Sequence, residues 1–235
     1  MPAFPEVVVV GSYVQDHAWF CDAFPQRGET RIATGFNTGP GGKGFNQAVA
    51  CRRQGIGTIF IGAIGDDALG QTAQAFMETE DIDACWQIHA DAPTAASSIV
   101  VDARGENRIV VSLGANEHLS PAFVREQFRS VRSSRVLLCQ LENNLDAIAA
   151  ALDAASTAGM SRMLNPAPMH PAFDPALLKQ VDLLTPNETE FALLSRRCGF
   201  DDVDADALAS LDDASLHALV RRLPVQATVI TLGAH

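Results

Sequence analysis

The chain has 235 residues, which is long enough for one large α/β domain with its own core. It carries 28 acidic residues against 17 lysines and arginines, so its formal net charge is −11. Nucleic acids and anionic membranes attract cationic proteins, so this balance argues against both as partners. The five cysteines are scattered, and no stretch approaches the ~18 apolar residues of a membrane span, which together predict a reducing, cytoplasmic location.

Short runs of almost continuous apolar character recur along the chain. The runs predicted to be strands are 7–10, 58–64, 136–141, 160–164, 181–184 and 229–232. This composition is typical of strands buried on both faces of a parallel sheet. Helical spacing lies between the runs, as at Leu145, Ile148 and Leu152, with Gly159 where a C-cap is expected. The alternation predicts a three-layer α/β/α fold in a single domain over residues 1–235.

Two stretches depart from this alternation, residues 12–40 and residues 95–113. The second contains two apolar runs, 98–101 and 108–111, around a turn that includes Gly105. This pattern is typical of a β-hairpin. We expect both stretches to form a small separate sheet, such as a lid; the alternative is two further strands at the edge of the main sheet.

A glycine-rich segment, GPGGKGFN, occupies residues 39–46, and a helix is predicted to begin at its end, at Asn46. Backbone N–H groups at such a loop and helix N-terminus can bind an anion. The segment is not a Walker A motif, because Gly44 stands where Ser or Thr is required. It matches GxGxxG, with Asp66 at a suitable distance for a ribose-binding acid, but no buried strand precedes it. A dinucleotide site is therefore the second interpretation, and a turn without function is the third.

A second polar segment, TPNETE, follows the apolar run 181–184 directly. Its first four residues, 185–188, read as a capping box with a proline inside it. Ligands of open α/β sheets lie beyond the carboxyl ends of the strands. Asn187 and Glu190 are therefore candidates to organise Mg²⁺, often through water, beside nucleotide phosphates. The alternative is simple helix capping, which we expect to be the whole role of Glu188.

Other polar residues follow predicted strands: Asp16 comes after the first, Glu142 after the run 136–141, and Asn165 after the run 160–164. Carboxylates accept hydrogen bonds from sugar hydroxyls. Convergence of several such groups at one sheet edge favours a binding site there.

Taken in order, these segments resemble the ribokinase-like family of carbohydrate kinases, also called the PfkB family. The matching segments are Gly11-Ser12, Asp16-His17, Gly28-Glu29-Thr30, Gly41-Gly42-Lys43-Gly44, Asn46-Gln47-Ala48, Gly65-Asp66-Asp67, Gln140-Leu141-Glu142, Asn165-Pro166-Ala167-Pro168, Thr185-Pro186-Asn187-Glu188-Thr189-Glu190 and Thr231-Leu232-Gly233. The resemblance covers essentially the whole chain, and the ordered set is specific although each piece alone is weak.

The resemblance implies a Rossmann-like core with a β-sheet lid, pairing of two copies through the lid as a homodimer, and ATP-dependent phosphorylation of a sugar hydroxyl with Mg²⁺. Many members also bind K⁺ in a C-terminal loop. The positions that the resemblance assigns to the sugar are Asp16, Gly42, Lys43, Gly44, Asn46 and Glu142. It assigns Asn187, Thr231 and Gly233 to ATP, and Glu190 to the metal through water.

The sequence departs from the family pattern at two places. Val14 stands where ribokinases usually have an asparagine that bonds sugar hydroxyls, which leaves another pentose, a hexose or a nucleoside open. The family's C-terminal Gly-Ala-Gly-Asp motif, which supplies the base and an anion hole, is absent from the 235 residues, so the resemblance describes a C-terminally truncated member. We expect little or no kinase activity from this chain by itself. The alternatives are a non-catalytic sugar-binding or dimerising remnant, a nucleoside kinase and a nucleotide-dependent oxidoreductase.

Overall fold

A computed structural model describes residues 6–131, 133–200 and 203–233 of the chain. The strands of this part, numbered along the chain, are β1 (Val7–Val10), β2 (Val14–Phe20), β3 (Gly35–Gly41), β4 (Thr58–Gly65), β5 (Asp83–His89), β6 (Ala96–Val101), β7 (Asn107–Ser112), β8 (Val136–Cys139), β9 (Ser161–Leu164), β10 (Leu183–Leu184) and β11 (Ala227–Thr228). The α-helices are α1 (Lys43–Arg53), α2 (Ala68–Thr79), α3 (Pro121–Gln127), α4 (Leu145–Thr157), α5 (Glu188–Arg197) and α6 (Asp213–Val220).

The main sheet contains seven of these strands in the order β11-β10-β9-β8-β1-β4-β5, and every neighbouring pair is parallel. Successive side chains of a strand point to opposite faces, and those of the central β1 enter two different cores. Val9 shares one core with Phe45 of α1, whereas Val10 shares the other with Ile148 of α4. Helices therefore cover the sheet from both sides, and the predicted α/β/α fold is confirmed.

The helices begin and end where short polar residues and glycines stand in the sequence. The Ser120 hydroxyl accepts a hydrogen bond from Phe123 N at 3.1 Å and caps α3. Gly159 follows the C-cap of α4 with φ 72°, a left-handed conformation that favours glycine. No helix in the described part of the chain has the length and apolar content needed to cross a bilayer.

A second sheet of four strands, in the order β3-β2-β6-β7, stands apart from the main one. Strands β2 and β6 are parallel, and the two outer pairs are antiparallel. The two stretches set apart in the sequence supply the four strands: 12–40 contains β2 and all of β3 except its last residue, and 95–113 contains β6 and β7. We refer to these four strands as the lid sheet.

Asp67 ties the lid sheet to the core. Its carboxylate caps α2 by accepting from Gly70 N at 2.8 Å, and it also accepts from the Thr94 backbone N at 2.8 Å and the Thr94 hydroxyl at 2.7 Å. Burial opposes ionisation of Asp67, but these hydrogen bonds outweigh it and hold the pKa of the carboxyl below its ordinary value. Since Thr94 lies two residues before β6, the charged cap fixes the point where the chain enters the lid sheet.

Two strands differ most from the sequence-based prediction. The last strand was predicted at 229–232 but lies at Ala227–Thr228. The chain continues beside its neighbour, with Thr231 N donating to Pro186 O at 3.0 Å, but Pro186 has no N–H to donate in return, so regular pairing stops. Strand β5 (DACWQIH) was not predicted, because a partly polar edge strand lacks the continuous apolar run of a central one.

Candidate functional site

Helix α1 begins inside the glycine-rich segment, earlier than predicted. Gly42 is its N-cap with φ 95°, and Lys43 is its first helical residue. A Cβ on Gly42 would lie 2.8 Å from both Ser12 O and Val14 N, so only a bare backbone fits at this position. The N-terminus of α1 therefore lies against the segment that follows β1.

The carboxylate of Glu142 lies at this helix N-terminus. Its Oε2 accepts a hydrogen bond from Lys43 N at 2.9 Å and one from the Ser12 hydroxyl at 2.5 Å. The positive end of the α1 dipole therefore faces one of the chain's own carboxylates, which occupies the Lys43 N donor. Glu142 Oε1 takes no part in these two contacts and can accept hydrogen bonds from a ligand.

Gly44 lets α1 approach the end of β1 this closely. A Cβ on Gly44 would lie 2.5 Å from Gly11 Cα, and a Cβ on Gly11 would lie 2.6 Å from Gly44 Cα. Two glycine backbones are therefore in face-to-face contact. Gly44 acts on the site through backbone packing, which places Lys43 N against Glu142.

Asp16 lies in the middle of the lid sheet, on β2. The hydroxyl of Ser97, on the adjacent strand β6, donates to Asp16 Oδ1 at 2.6 Å. Gly41 on β3 faces the other carboxylate oxygen, since a Cβ there would lie only 2.0 Å from Asp16 Oδ2. The carboxylate is therefore held between its two neighbouring strands.

The residues around the start of β2 are buried. Val14 is 3% exposed and presents an apolar side chain. Burial raises the pKa of the Tyr13 phenol well above its ordinary value, and the charges of Asp16 and Asp67 add to this effect. Tyr13 Oη therefore remains protonated and donates to Gln15 Oε1 at 2.6 Å. Asn46, in contrast, is exposed on the first turn of α1.

The predicted nucleotide-side residues Asn187 and Glu190 form a reciprocal capping box at the start of α5. Asn187 Oδ1 accepts from Glu190 N at 2.8 Å, and Glu190 Oε2 accepts from Asn187 N at 2.9 Å. The prediction of a box over 185–188 was wrong, because Thr185 N still bonds to Leu164 O in the sheet and the helix starts at Glu188. Glu190 keeps its second oxygen, Oε1, outside these capping contacts.

Thr231 and Gly233 lie against the same helix start. Thr231 forms an isolated parallel bridge with Asn187, and Gly233 N donates to Glu188 Oε1 at 2.6 Å. Glu188, expected to be only a cap, therefore holds the segment that follows β11. The structure brings all four predicted nucleotide-side residues together at the carboxyl ends of β10 and β11.

A groove of about 200 Å³ lies between the sugar-side and nucleotide-side residues. It is lined by Gln47 of α1, by Cys139 and Asn165 at the ends of β8 and β9, and by Thr185 beyond β10, together with Leu138 and Met163. Gln140 Nε2 donates to Gln47 Oε1 at 2.7 Å, and Asn165 Nδ2 donates to Thr185 O at 2.6 Å. These bonds join α1 to β8, and β9 to β10, along the carboxyl edge where ligands of open α/β sheets bind.

The structure does not support the dinucleotide interpretation of the glycine-rich segment. The strand that leads into these glycines is β3, which is antiparallel to β2 and belongs to the lid sheet. A dinucleotide fingerprint instead follows a buried parallel strand of the main sheet.

Two residues of the site were not among those predicted from sequence. Ser12 holds Glu142, and Ser97 holds Asp16. The Gly11-Ser12 pair had been noted only as part of a motif. Ser97 carried no local signal, because its contact depends on the pairing of β2 with β6.

Comparisons with known proteins agree with this geometry. The profile of the pfkB family carbohydrate kinases matches residues 5–235. The ribokinase of Haemophilus influenzae is 35% identical over 229 residues, which cover 97% of this chain and 72% of that enzyme.

Solved structures show the same fold. The ribokinase of Giardia lamblia superposes with a TM-score of 0.85 at 30% identity, covering 98% of this chain and 70% of the other. A ribokinase of Arabidopsis thaliana, solved with ribose and ATP, gives a TM-score of 0.69 at 27% identity, covering 97% and 72% of the two chains. The chain therefore belongs to the pfkB family of carbohydrate kinases, which are phosphotransferases.

Proposed function

We propose that the chain binds ribose or a related sugar between Asp16 and Glu142 and belongs to an enzyme that phosphorylates it from ATP. The observation that carries the proposal is the arrangement of these two carboxylates. Each is fixed through one oxygen by a serine hydroxyl, at 2.6 Å for Asp16 and 2.5 Å for Glu142. Carboxylates held in this way are preorganised to accept hydrogen bonds from adjacent sugar hydroxyls. The Arabidopsis ribokinase solved with ribose and ATP supports the same pair of ligands.

The α1 segment completes the proposed sugar site. We place the sugar beside Gly42, Lys43, Gly44 and Asn46. The two glycines let α1 pack closely against the segment after β1, Lys43 donates its backbone N–H to Glu142, and Asn46 offers an exposed amide on the first turn. The buried Val14 offers no hydrogen bond, so one side of the sugar would meet an apolar wall. No residue of the chain is assigned the role of base, which requires contact with the attacking hydroxyl.

ATP would lie at the other end of the groove, against Asn187, Thr231 and Gly233. The N-terminus of the ten-residue helix α5 supplies a partial positive charge for its phosphates. No cluster of three or more His, Cys, Asp or Glu side chains able to hold a metal occurs among the described residues. Mg²⁺ therefore fits here only as an ion carried by the phosphates, with Glu190 Oε1 as a water-mediated partner, where it would neutralise phosphate charge. The residues described supply no separate K⁺ site to this proposal.

We also propose that two copies pair through the lid sheet. Six of the ten exposed large hydrophobic side chains in the described part of the chain lie in the two lid segments: Phe20, Ile32, Phe36, Ile109, Val110 and Val111. Such a concentration on one small sheet is typical of an interaction surface. A cytoplasmic location is part of the same proposal, since the described cysteines are all free thiols and ATP is the phosphate donor.

Calorimetric titration with ribose, 2-deoxyribose, arabinose, fructose and inosine tests the function. At least one pentose is expected to bind with a Kd of about 1 mM or tighter.

Two variants test the carboxylates. Glu142→Gln and Asp16→Asn should each weaken that binding at least tenfold. Glu126→Gln, at an exposed acid on α3, is the matched control and should leave it unchanged.

The same titrations separate the alternatives. Absence of binding by every sugar would overturn the proposal, and preference for inosine would favour a nucleoside kinase. A coupled assay of ADP release on the sugar that binds then distinguishes a competent kinase from a sugar-binding protein without turnover. Turnover above about 1 s⁻¹ would identify a competent kinase, and binding without turnover would favour the sugar-binding protein.

A further inference from the structure

Ser97 carries a buried hydroxyl that contacts Asp16, one of the two carboxylates proposed to bind the sugar. It stands on β6 in parallel register with Asp16 on β2, and it is 6% exposed. Its hydroxyl donates to Asp16 Oδ1 at 2.6 Å, a short distance typical of a charge-assisted hydrogen bond. The next residue, Ser98, is exposed, because successive side chains of a strand alternate between faces.

This hydrogen bond restrains a side chain that has little else to fix its angle. On the opposite side Asp16 Oδ2 faces the Gly41 backbone, where no side chain is present to fill the space. Without the Ser97 hydroxyl, the carboxylate could rotate about its Cβ–Cγ bond and leave the orientation seen here, because Gly41 has no side chain that would hold it. Ordering it again on ligand binding would cost conformational entropy.

We propose that Ser97 is a positioning residue for sugar binding, which acts by holding the Asp16 carboxylate in its binding orientation. Ser97 and Asp16 are 81 residues apart in sequence and meet only through the β2–β6 pairing. The bond therefore makes sugar affinity depend on the assembly of the lid sheet. The inference rests on the proposed function in one respect, the assignment of Asp16 to the sugar.

The variant Ser97→Ala tests the inference, with Ser98→Ala as a matched control on the same strand. Ser97→Ala should weaken binding of the preferred sugar by about 10- to 150-fold, the range expected on losing one charge-assisted hydrogen bond. Ser98→Ala should bind as the wild type does. Ser97→Thr keeps the hydroxyl and suits a strand, so it should restore affinity to within about twofold of the wild type.

The outcomes are distinguishable. If the wild type binds a sugar and Ser97→Ala binds it equally well, the inference is overturned while the proposed function stands. If Ser97→Thr binds the sugar as weakly as Ser97→Ala although both melt at the wild-type temperature, the hydroxyl is not what maintains sugar affinity, and the inference also fails. If the wild type binds no sugar, the proposed function fails and the inference falls with it.

Discussion

Adjacent glycines at the site have different physical roles. A Cβ on Gly41 would meet the Asp16 carboxylate, the end of a side chain that can rotate away. A Cβ on Gly42 would meet backbone atoms of the segment after β1, at a φ of 95° that alanine rarely adopts. Gly41 is therefore needed for the orientation of the Asp16 carboxylate, and Gly42 is needed for the path of the backbone.

Alanine substitutions separate these roles. Gly41→Ala should leave the melting temperature nearly unchanged but weaken sugar binding about 10- to 100-fold, because the Asp16 carboxylate is displaced. Gly42→Ala should lower the free energy of unfolding by about 2 kcal/mol or more. Urea unfolding and calorimetric titration of both variants check this, and equal loss of stability in the two would contradict it.

Cys139 is a further residue whose environment decides its chemistry. Complete burial raises the pKa of its thiol to about 12, so almost no thiolate forms near neutral pH. Iodoacetamide at pH 8 should leave Cys139 unlabelled in the native protein and label it in urea, as read by peptide mass spectrometry. Labelling at the same rate in both conditions would show that the thiol is not buried.

At the scale of elements, the carboxyl ends of the strands were the most predictable feature. Glu142 and Asn187 were identified from their positions after apolar runs, and they do follow β8 and β10, whereas Asp16 lies within β2 of the lid sheet and not at the edge of the main sheet. The boundaries were less predictable where a residue's bonding depends on a neighbouring strand. Thr185 N still bonds to Leu164 of β9, so the capping box forms between Asn187 and Glu190 and not over the predicted residues 185–188.

The pair Arg162 and Asp182 holds two short strands in register. Arg162 Nη2 donates to Asp182 Oδ1 at 2.7 Å, Arg162 Nε donates to Oδ2 at 2.9 Å, and the Arg162 backbone N donates to Oδ2 at 2.8 Å. The Arg162 guanidinium is the main cause that holds the pKa of the Asp182 carboxyl below its ordinary value. Strand β10 has only two residues, so much of its attachment to β9 depends on this pair.

Asp182→Asn should lower the free energy of unfolding by about 1.5–3 kcal/mol at pH 7, because hydrogen bonds to a charged group are lost. The folded-state pKa is lowered, so the carboxylate's stabilisation is fully present above its unfolded pKa of about 3.9 and is lost as pH falls through the folded pKa. Urea unfolding at pH 7 and pH 3 measures this. The difference between wild type and variant should shrink at pH 3, and a constant difference would contradict the role of ionisation.

At the scale of the whole molecule, most of the exposed large hydrophobic side chains in the described part of the chain lie in the two segments that form the lid sheet. Strand β7 is one of the two outer strands of the lid sheet and is exposed along its length, with Ile109 at 55% and Val110 at 75%. An exposed apolar edge strand favours pairing with another chain. The acidic net charge of −11 keeps the rest of the surface unfavourable for nonspecific association.

Ile109→Asp should convert a dimer into a monomer in sedimentation velocity, because it places a charge in the proposed apolar contact. Leu193→Asp, at a similarly exposed leucine on α5, is the control and should sediment like the wild type. A wild type that sediments as a monomer at every concentration tested would overturn pairing through the lid.

The amino-acid sequence by itself determined the family, the parallel α/β fold and the candidate residues, because these follow from local apolar runs and ordered motifs. Only the tertiary structure decided what those residues contact. Glu142 meets Lys43 N across 99 positions, and Ser97 meets Asp16 across 81. A helix N-terminus or a carboxylate bonds to the complementary group that the fold brings nearest, and that group depends on strand pairing between distant segments. For this reason the sequence could not show that Lys43 N, in the glycine-rich loop, bonds to the carboxylate of Glu142.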